Sequence, residues 1–124
     1  MKKKKILLID DQKSFTESIK AALEGTDNYE VRAQNDGPSG VAAAKEFKPD
    51  LILLDVTMPN MDGTQVAAKL ESDQGTRDIP IVFLTAVVSK EEVEKQKGLI
   101  GGHKFIAKPV GIEDLINVID ENIG

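Results

Sequence analysis

Leu51-Ile52-Leu53-Leu54-Asp55-Val56-Thr57-Met58-Pro59-Asn60-Met61-Asp62-Gly63 is the stretch from which the rest of the chain is read. Four apolar residues run straight into a carboxylate. A short run of that kind reads as a strand buried on both faces, as in a parallel sheet. Pro59 has no backbone donor and ends any ladder. Asp62, with Gln65 three residues on, offers an N-cap, and a helical pattern follows. Asp55 therefore stands at a strand C-terminus, at the lip of the sheet, where open α/β sheets bind ligands. Taken alone, such an aspartate more often just begins a turn. Other strand ends in this chain give it company.

Working outward, Ile6-Leu7-Leu8-Ile9 is a second all-apolar run, and it ends in Asp10-Asp11. Ile79 to Leu84 is a third, ending in Thr85-Ala86. Phe105-Ile106-Ala107 is the heart of a short fifth strand that ends at Lys108-Pro109. Tyr29 to Gln34 is weaker and half polar, which suits a sheet edge. Helical patterns lie between these runs. Ser14 and Glu17 make a capping box for a helix whose apolar face is Phe15, Ile19, Ala22 and Leu23. Asp36-Gly37-Pro38 opens the next, with a slim stripe of Gly40, Ala43, Ala44 and Phe47. The third buries Val66, Ala67 and Leu70. Ser89 and Glu92 open the fourth, and Ile112, Leu115, Ile116, Ile119 and Ile123 trace the last. Strand and helix alternate five times, which predicts an α/β fold: a doubly wound five-stranded parallel sheet with helices on both faces.

Composition narrows the function. The chain of 124 residues suits a single domain over 1–124 with one core. It is 40% hydrophobic and 30% charged, an ordinary soluble balance. A net charge of −5 argues mildly against nonspecific nucleic-acid binding. Cysteine is absent and His103 stands alone, so a metal here must be held by oxygen. Lys2 to Lys5 imitate the start of a signal peptide, but only Ile6 to Ile9 follow, short of the roughly 7–15 apolar residues a leader needs. No segment approaches the roughly 20 apolar residues of a membrane span. The expected location is the cytoplasm.

Overlaying the strand ends supplies the chemistry. In a parallel sheet Asp10-Asp11, Asp55, Thr85 and Lys108 all lie on one edge. Three carboxylates repel one another, and a hard divalent cation relieves that repulsion. Mg²⁺ prefers oxygen ligands and bridges carboxylates to phosphoryl oxygens. Lys108 offers a point charge to a phosphoryl oxygen. Thr85 offers a hydroxyl, and Ala86 a backbone N–H.

With those residues, the chain resembles a response-regulator receiver domain of two-component signalling, the CheY-like type, over essentially its whole length. The resemblance rests on Asp10-Asp11, on Asp55-x-x-Met58-Pro59-x-Met61-Asp62-Gly63, on Thr85-Ala86 and on Lys108-Pro109. It implies the flavodoxin-like strand order 2-1-3-4-5 with five helices. It implies that Asp55 accepts a phosphoryl group from a sensor histidine kinase or phosphotransfer protein. Asp11 would ligate Mg²⁺ (or Mn²⁺) directly, Asp10 mainly through water, with Asp55 and the Thr57 carbonyl completing the protein ligands. Lys108 would pair with Asp55 and then with the phosphoryl group, which Thr85 and the Ala86 N–H would also bind. Thr85 and Phe105 would form the switch. The implied output surface, toward a downstream protein or output domain, is the fourth helix, the fifth strand and the last helix. The domain would catalyse only its own phosphorylation and dephosphorylation, with no direct nucleic-acid or membrane binding.

Departures from the family pattern are Phe105 in place of the commoner tyrosine, Val87-Val88 after Thr85-Ala86, and Gly101-Gly102 before the fifth strand. The fourth helix, from Ser89 to Gly98, has few apolar residues and is expected to be the least firmly held. Two rival classes fit less well. A phosphatase of the haloacid-dehalogenase type carries a second aspartate two residues after its nucleophile, where this chain has Thr57. A flavodoxin-like binding module needs a phosphate-cradling loop where this chain has Asp10-Asp11.

Overall fold

The computed structural model describes residues 3–56, 58, 61–85, 99–100, 103–108 and 111–123, with backbone alone at 99, 100 and 103. Six strands are found among them: β1 (Lys4–Ile9), β2 (Tyr29–Gln34), β3 (Leu51–Asp55), β4 (Ile81–Thr85), β5 (Leu99–Ile100) and β6 (His103–Ala107). The described helices are α1 (Lys13–Glu24), α2 (Gly37–Phe47), α3 (Gly63–Glu71) and α4 (Ile112–Ile123). None is long and apolar enough to cross a membrane.

The sheet order is β2-β1-β3-β4-β6-β5. Its five long strands run parallel, in the order expected. The two-residue β5 is an addition, pairing antiparallel with β6 through Leu99↔Lys104 and Ile100↔His103. Between the two strands the sequence carries Gly101-Gly102, a dipeptide that favours two-residue hairpin connections. The predicted fourth helix, Ser89 to Gly98, and the residues Val87, Val88 and Pro109 lie outside the described residues.

Strand alternation divides the core into two layers. Ile6, Leu8, Leu51, Leu53, Val82, Leu84 and Ile106 face one side, where Ile19 and Leu23 of α1 and Leu115 and Ile119 of α4 cover them. Leu7, Ile9, Ile52, Leu54 and Phe83 face the other, beneath Ala43 and Ala44 of α2 and Val66, Ala67 and Leu70 of α3. The half-polar β2 is an edge strand, as its pattern required.

The helix ends follow the local chemistry, with one correction. Asp62 and Gln65 form the capping box predicted for α3. Asp36 caps α2 by accepting from the Ser39 N–H at 2.8 Å. Ser14 and Glu17 do not cap α1. That helix starts earlier, after Gln12, whose side chain makes no capping hydrogen bond. The turn tightens because the Gln12 N–H donates to Asp10 Oδ1 at 2.9 Å, so the acidic turn itself launches α1. Ala22, expected on the apolar face, is exposed at its margin.

Candidate functional site

The same alternation delivers three site residues to one layer. Counting on from Ile6 and Leu8, Asp10 falls on the α1/α4 side, and the ladder persists through it, since its N–H donates to the Gln34 carbonyl at 3.0 Å. Leu51 and Leu53 put Asp55 on that side. Ile106 puts Lys108 there, and the Lys108 N–H continues the ladder to the Thr85 carbonyl at 2.9 Å. Thr85 and Phe105 keep the count of Phe83, toward α2 and α3. Thr85 is buried. The Phe105 ring stacks on Phe83, with centroids 5.0 Å apart and planes at 26°.

Asp10, Asp11 and Asp55 come together as the overlay of strand ends required. One carboxylate oxygen from each lies within 4.8 Å of the others. Asp10 and Asp55 are buried, while Asp11 is exposed. Buried carboxylates need compensation. Lys108 supplies it: its ammonium pairs with Asp10 Oδ2 and lies 3.8 Å from Asp55 Oδ1. Its side chain is only 12% exposed. The other Asp10 oxygen already accepts from Gln12 N–H. Asp11 is thus the carboxylate of the three most open to solvent. The donor set is all oxygen, and it suits a hard divalent cation.

Backbone packing tightens the lip. The Gly63 N–H donates to the Val56 carbonyl at 2.7 Å. A Cβ at Gly63 would stand 2.2 Å from the Asp55 carbonyl oxygen and 2.8 Å from Val56 Cα. Only a residue without a side chain lets α3 begin against the strand that carries Asp55. Thr57 and Ala86, expected to offer a carbonyl and an N–H, lie outside the described residues.

Two contributors were missed in the sequence. Asn35, just past β2, donates through Nδ2 to the Asp10 carbonyl at 2.9 Å and to Thr16 Oγ1 at 3.1 Å. The buried Thr16 hydroxyl donates in turn to the Lys13 carbonyl at 3.0 Å. This ties the end of β2 to the acidic turn and the start of α1. A polar residue after a strand carries no such signal in sequence, because its partners lie 25 and 19 residues away. Phe15 was read only as core, yet the Lys108 ammonium lies over its ring.

Comparison with known proteins identifies the family. Residues 6–120 match the response regulator receiver domain family. The chain belongs to that family. The receiver domain is 40% identical over 107 residues to response regulator PleD of Caulobacter vibrioides, covering 86% of this chain and 23% of PleD. It is 33% identical over 117 residues to protein PilH of Pseudomonas aeruginosa, covering 94% of each. It therefore spans under a quarter of one relative and nearly all of the other. Among solved structures, the chemotaxis protein CheY4 of Vibrio cholerae superposes with a TM-score of 0.82 at 27% identity, covering 98% of this chain and 99% of that one. The receiver is thus a signalling domain of two-component systems, with an acidic cluster able to hold a metal ion.

Proposed function

We propose that this receiver accepts a phosphoryl group on Asp55 from a histidine kinase or phosphotransfer protein in a Mg²⁺-dependent reaction. The observation that carries this reading is the convergence of Asp10, Asp11, Asp55 and Lys108 at one sheet edge, with Lys108 between two carboxylates. Phosphoryl transfer asks little covalent work of a protein and much positioning and charge neutralisation. A carboxylate is a competent nucleophile for it. An Asp55 oxygen forms the new bond to phosphorus, the phosphorus–nitrogen bond of the donor phosphohistidine breaks, and its electron pair stays with the imidazole. Lys108 neutralises charge on the transferred group, assisted by the Thr85 hydroxyl and the Ala86 N–H. Asp11 and Asp55, with Asp10 behind them and the Thr57 carbonyl, would hold the cation. When bound, Mg²⁺ supplies positive charge to the carboxylates and phosphoryl oxygens.

The added group brings negative charge and acceptor oxygens to that edge. Thr85 moves toward them, Phe105 follows, and a pre-existing equilibrium shifts. The domain, taken as one unit over 1–124, then engages a downstream protein or output domain through the segment after Thr85, β6 and α4. It acts in the cytoplasm, on itself alone, and does not bind nucleic acid directly.

Treatment with acetyl phosphate and Mg²⁺, followed by intact-mass measurement, tests this. The wild type gains one phosphoryl group. Asp55→Asn keeps the fold and gains none, because an amide does not attack phosphorus. Undiminished modification of the variant would place the nucleophile elsewhere.

A further inference from the structure

The first turn of α1 carries an aromatic ring into the acidic site. Phe15 packs, half-buried, against the α1/α4 core layer. Strand alternation sends Asp10, Asp55 and Lys108 to that same layer, so ring and ammonium meet. Lys108 Nζ lies 4.4 Å from the Phe15 ring centroid. The ammonium is therefore bounded by Asp10 Oδ2, by Asp55 Oδ1 at 3.8 Å and by the face of an aromatic ring.

We propose that Phe15 is a positioning residue for Lys108: its ring is a cation–π seat that keeps the ammonium within reach of the group arriving on Asp55. This rests on the phosphoryl-acceptor reading above. The chemistry of the contact explains why a ring serves here. A lysine head sits on a flexible four-carbon stem and must be held by its surroundings. Asp10 holds it firmly by a charge-assisted hydrogen bond, which pulls it away from Asp55. A carboxylate or carbonyl in the place of Phe15 would add a second competing acceptor. A ring face attracts the cation without taking one of its protons in a directed bond. The ammonium can therefore swing from Asp10 toward a phosphoryl oxygen on Asp55 while the ring still supports it. An aliphatic side chain would fill the same volume and give the cation no attraction.

Three variants separate the electrostatic seat from simple packing. Phe15→Leu keeps an apolar side chain and removes the ring. Phe15→Tyr keeps the ring. Phe15→Met, also without a ring, gives the same reading as Phe15→Leu if the leucine variant is too unstable to study. The first readout needs no phosphodonor: carbon-13 NMR of lysine-labelled protein, with Lys108 assigned by its loss in Lys108→Gln. In the wild type and Phe15→Tyr the Lys108 ε-methylene protons should be shifted upfield by the ring, and in Phe15→Leu that shift should vanish. The second readout is the rate of phosphorylation by acetyl phosphate at saturating Mg²⁺. It should fall on the order of fivefold in Phe15→Leu, in keeping with a part-desolvated cation–π contact, and stay near the wild-type rate in Phe15→Tyr.

A wild-type rate in Phe15→Leu overturns the proposal. So does an equal loss in the leucine and tyrosine variants, which would make Phe15 a packing residue. An unshifted Lys108 signal in the wild type removes the contact itself. A wild type that takes up no phosphoryl group overturns the acceptor function, and the catalytic use of the seat falls with it. The donor-free NMR readout tells that failure apart from loss of the seat alone.

Discussion

The two faces of the sheet are built to different gauges. On the α1/α4 side the helices meet the sheet with Ile19, Leu23, Leu115 and Ile119, all large aliphatic side chains. On the other side α2 meets the sheet with Gly40, Ala43 and Ala44 and approaches closely, while α3 brings Val66, Ala67 and Leu70. A Cβ on Gly40 would stand 2.6 Å from Cδ1 of the fully buried Ile9. The charged groups follow the first face, to which Asp10, Asp55, Lys108 and the ring of Phe15 belong, while Thr85 falls on the second. The second face carries Phe105 stacked on Phe83. The two faces thus differ in part because side-chain size sets how near a helix can come.

The contrast predicts opposite sensitivities. On the first face truncation is the harmful change. Leu115→Ala empties a fully buried position and should cost about 2–5 kcal/mol, measured by urea denaturation. A loss within error of zero would mean that α4 does not close that layer.

On the second face enlargement is the harmful change, and its effect is smaller. Gly40→Ala gains about 1 kcal/mol of helix propensity but overpacks against Ile9, a cost of about 1–3 kcal/mol. The net result should be mild destabilisation. Ile9→Val removes the Cδ1 that the new methyl meets, so Gly40→Ala should be better tolerated in that background. Strict additivity in the double-mutant cycle would show that close approach is not the reason for the glycine.

The smallest effect lies where the first face reaches the edge strand. The Tyr29 hydroxyl donates to Asp120 Oδ1 at 3.1 Å, linking β2 to α4. Burial, and then the bond to Asp120 and its negative charge, push the Tyr29 phenol above its ordinary pKa of 10.0. The fold therefore favours the neutral phenol. Its contribution is fully present below the ordinary tyrosine value and is lost as pH rises through the raised one. Tyr29→Phe should cost about 1 kcal/mol at neutral pH. It should also flatten the alkaline fall in stability between pH 9 and 11, on the order of the unfolded tyrosine value. Equal alkaline slopes in the two proteins would disconnect Tyr29 from that fall.

Much of the fold and of the site is legible in the sequence. Runs such as Ile6–Ile9 and Leu51–Leu54 are apolar on every residue because both faces of a parallel sheet are covered, and that pattern survives in a linear string. The strand-end residues Asp10, Asp11, Asp55 and Lys108 could be overlaid because parallel strands put all their C-termini on one edge. The capping box of Asp62 and Gln65 was readable because its partners are three residues apart. Ser14 and Glu17 misled for a related reason. The motif was present, but the Asp10–Gln12 turn started the helix first, and only one of two local options can be used.

What the chain alone determined is local or periodic: element type, the edge at which the polar strand ends gather, and through them the family. What only the tertiary structure decided is which distant groups touch. Asn35 reaches the Asp10 carbonyl because β2 pairs beside β1, and Phe15 lies under Lys108 because α1 packs on the layer where β6 ends. Lys108 pairs with Asp10, as well as lying near Asp55, because burial left both carboxylates in need of one cation. Such contacts depend on the close approach of residues far apart in sequence, and no spacing rule along the chain encodes them.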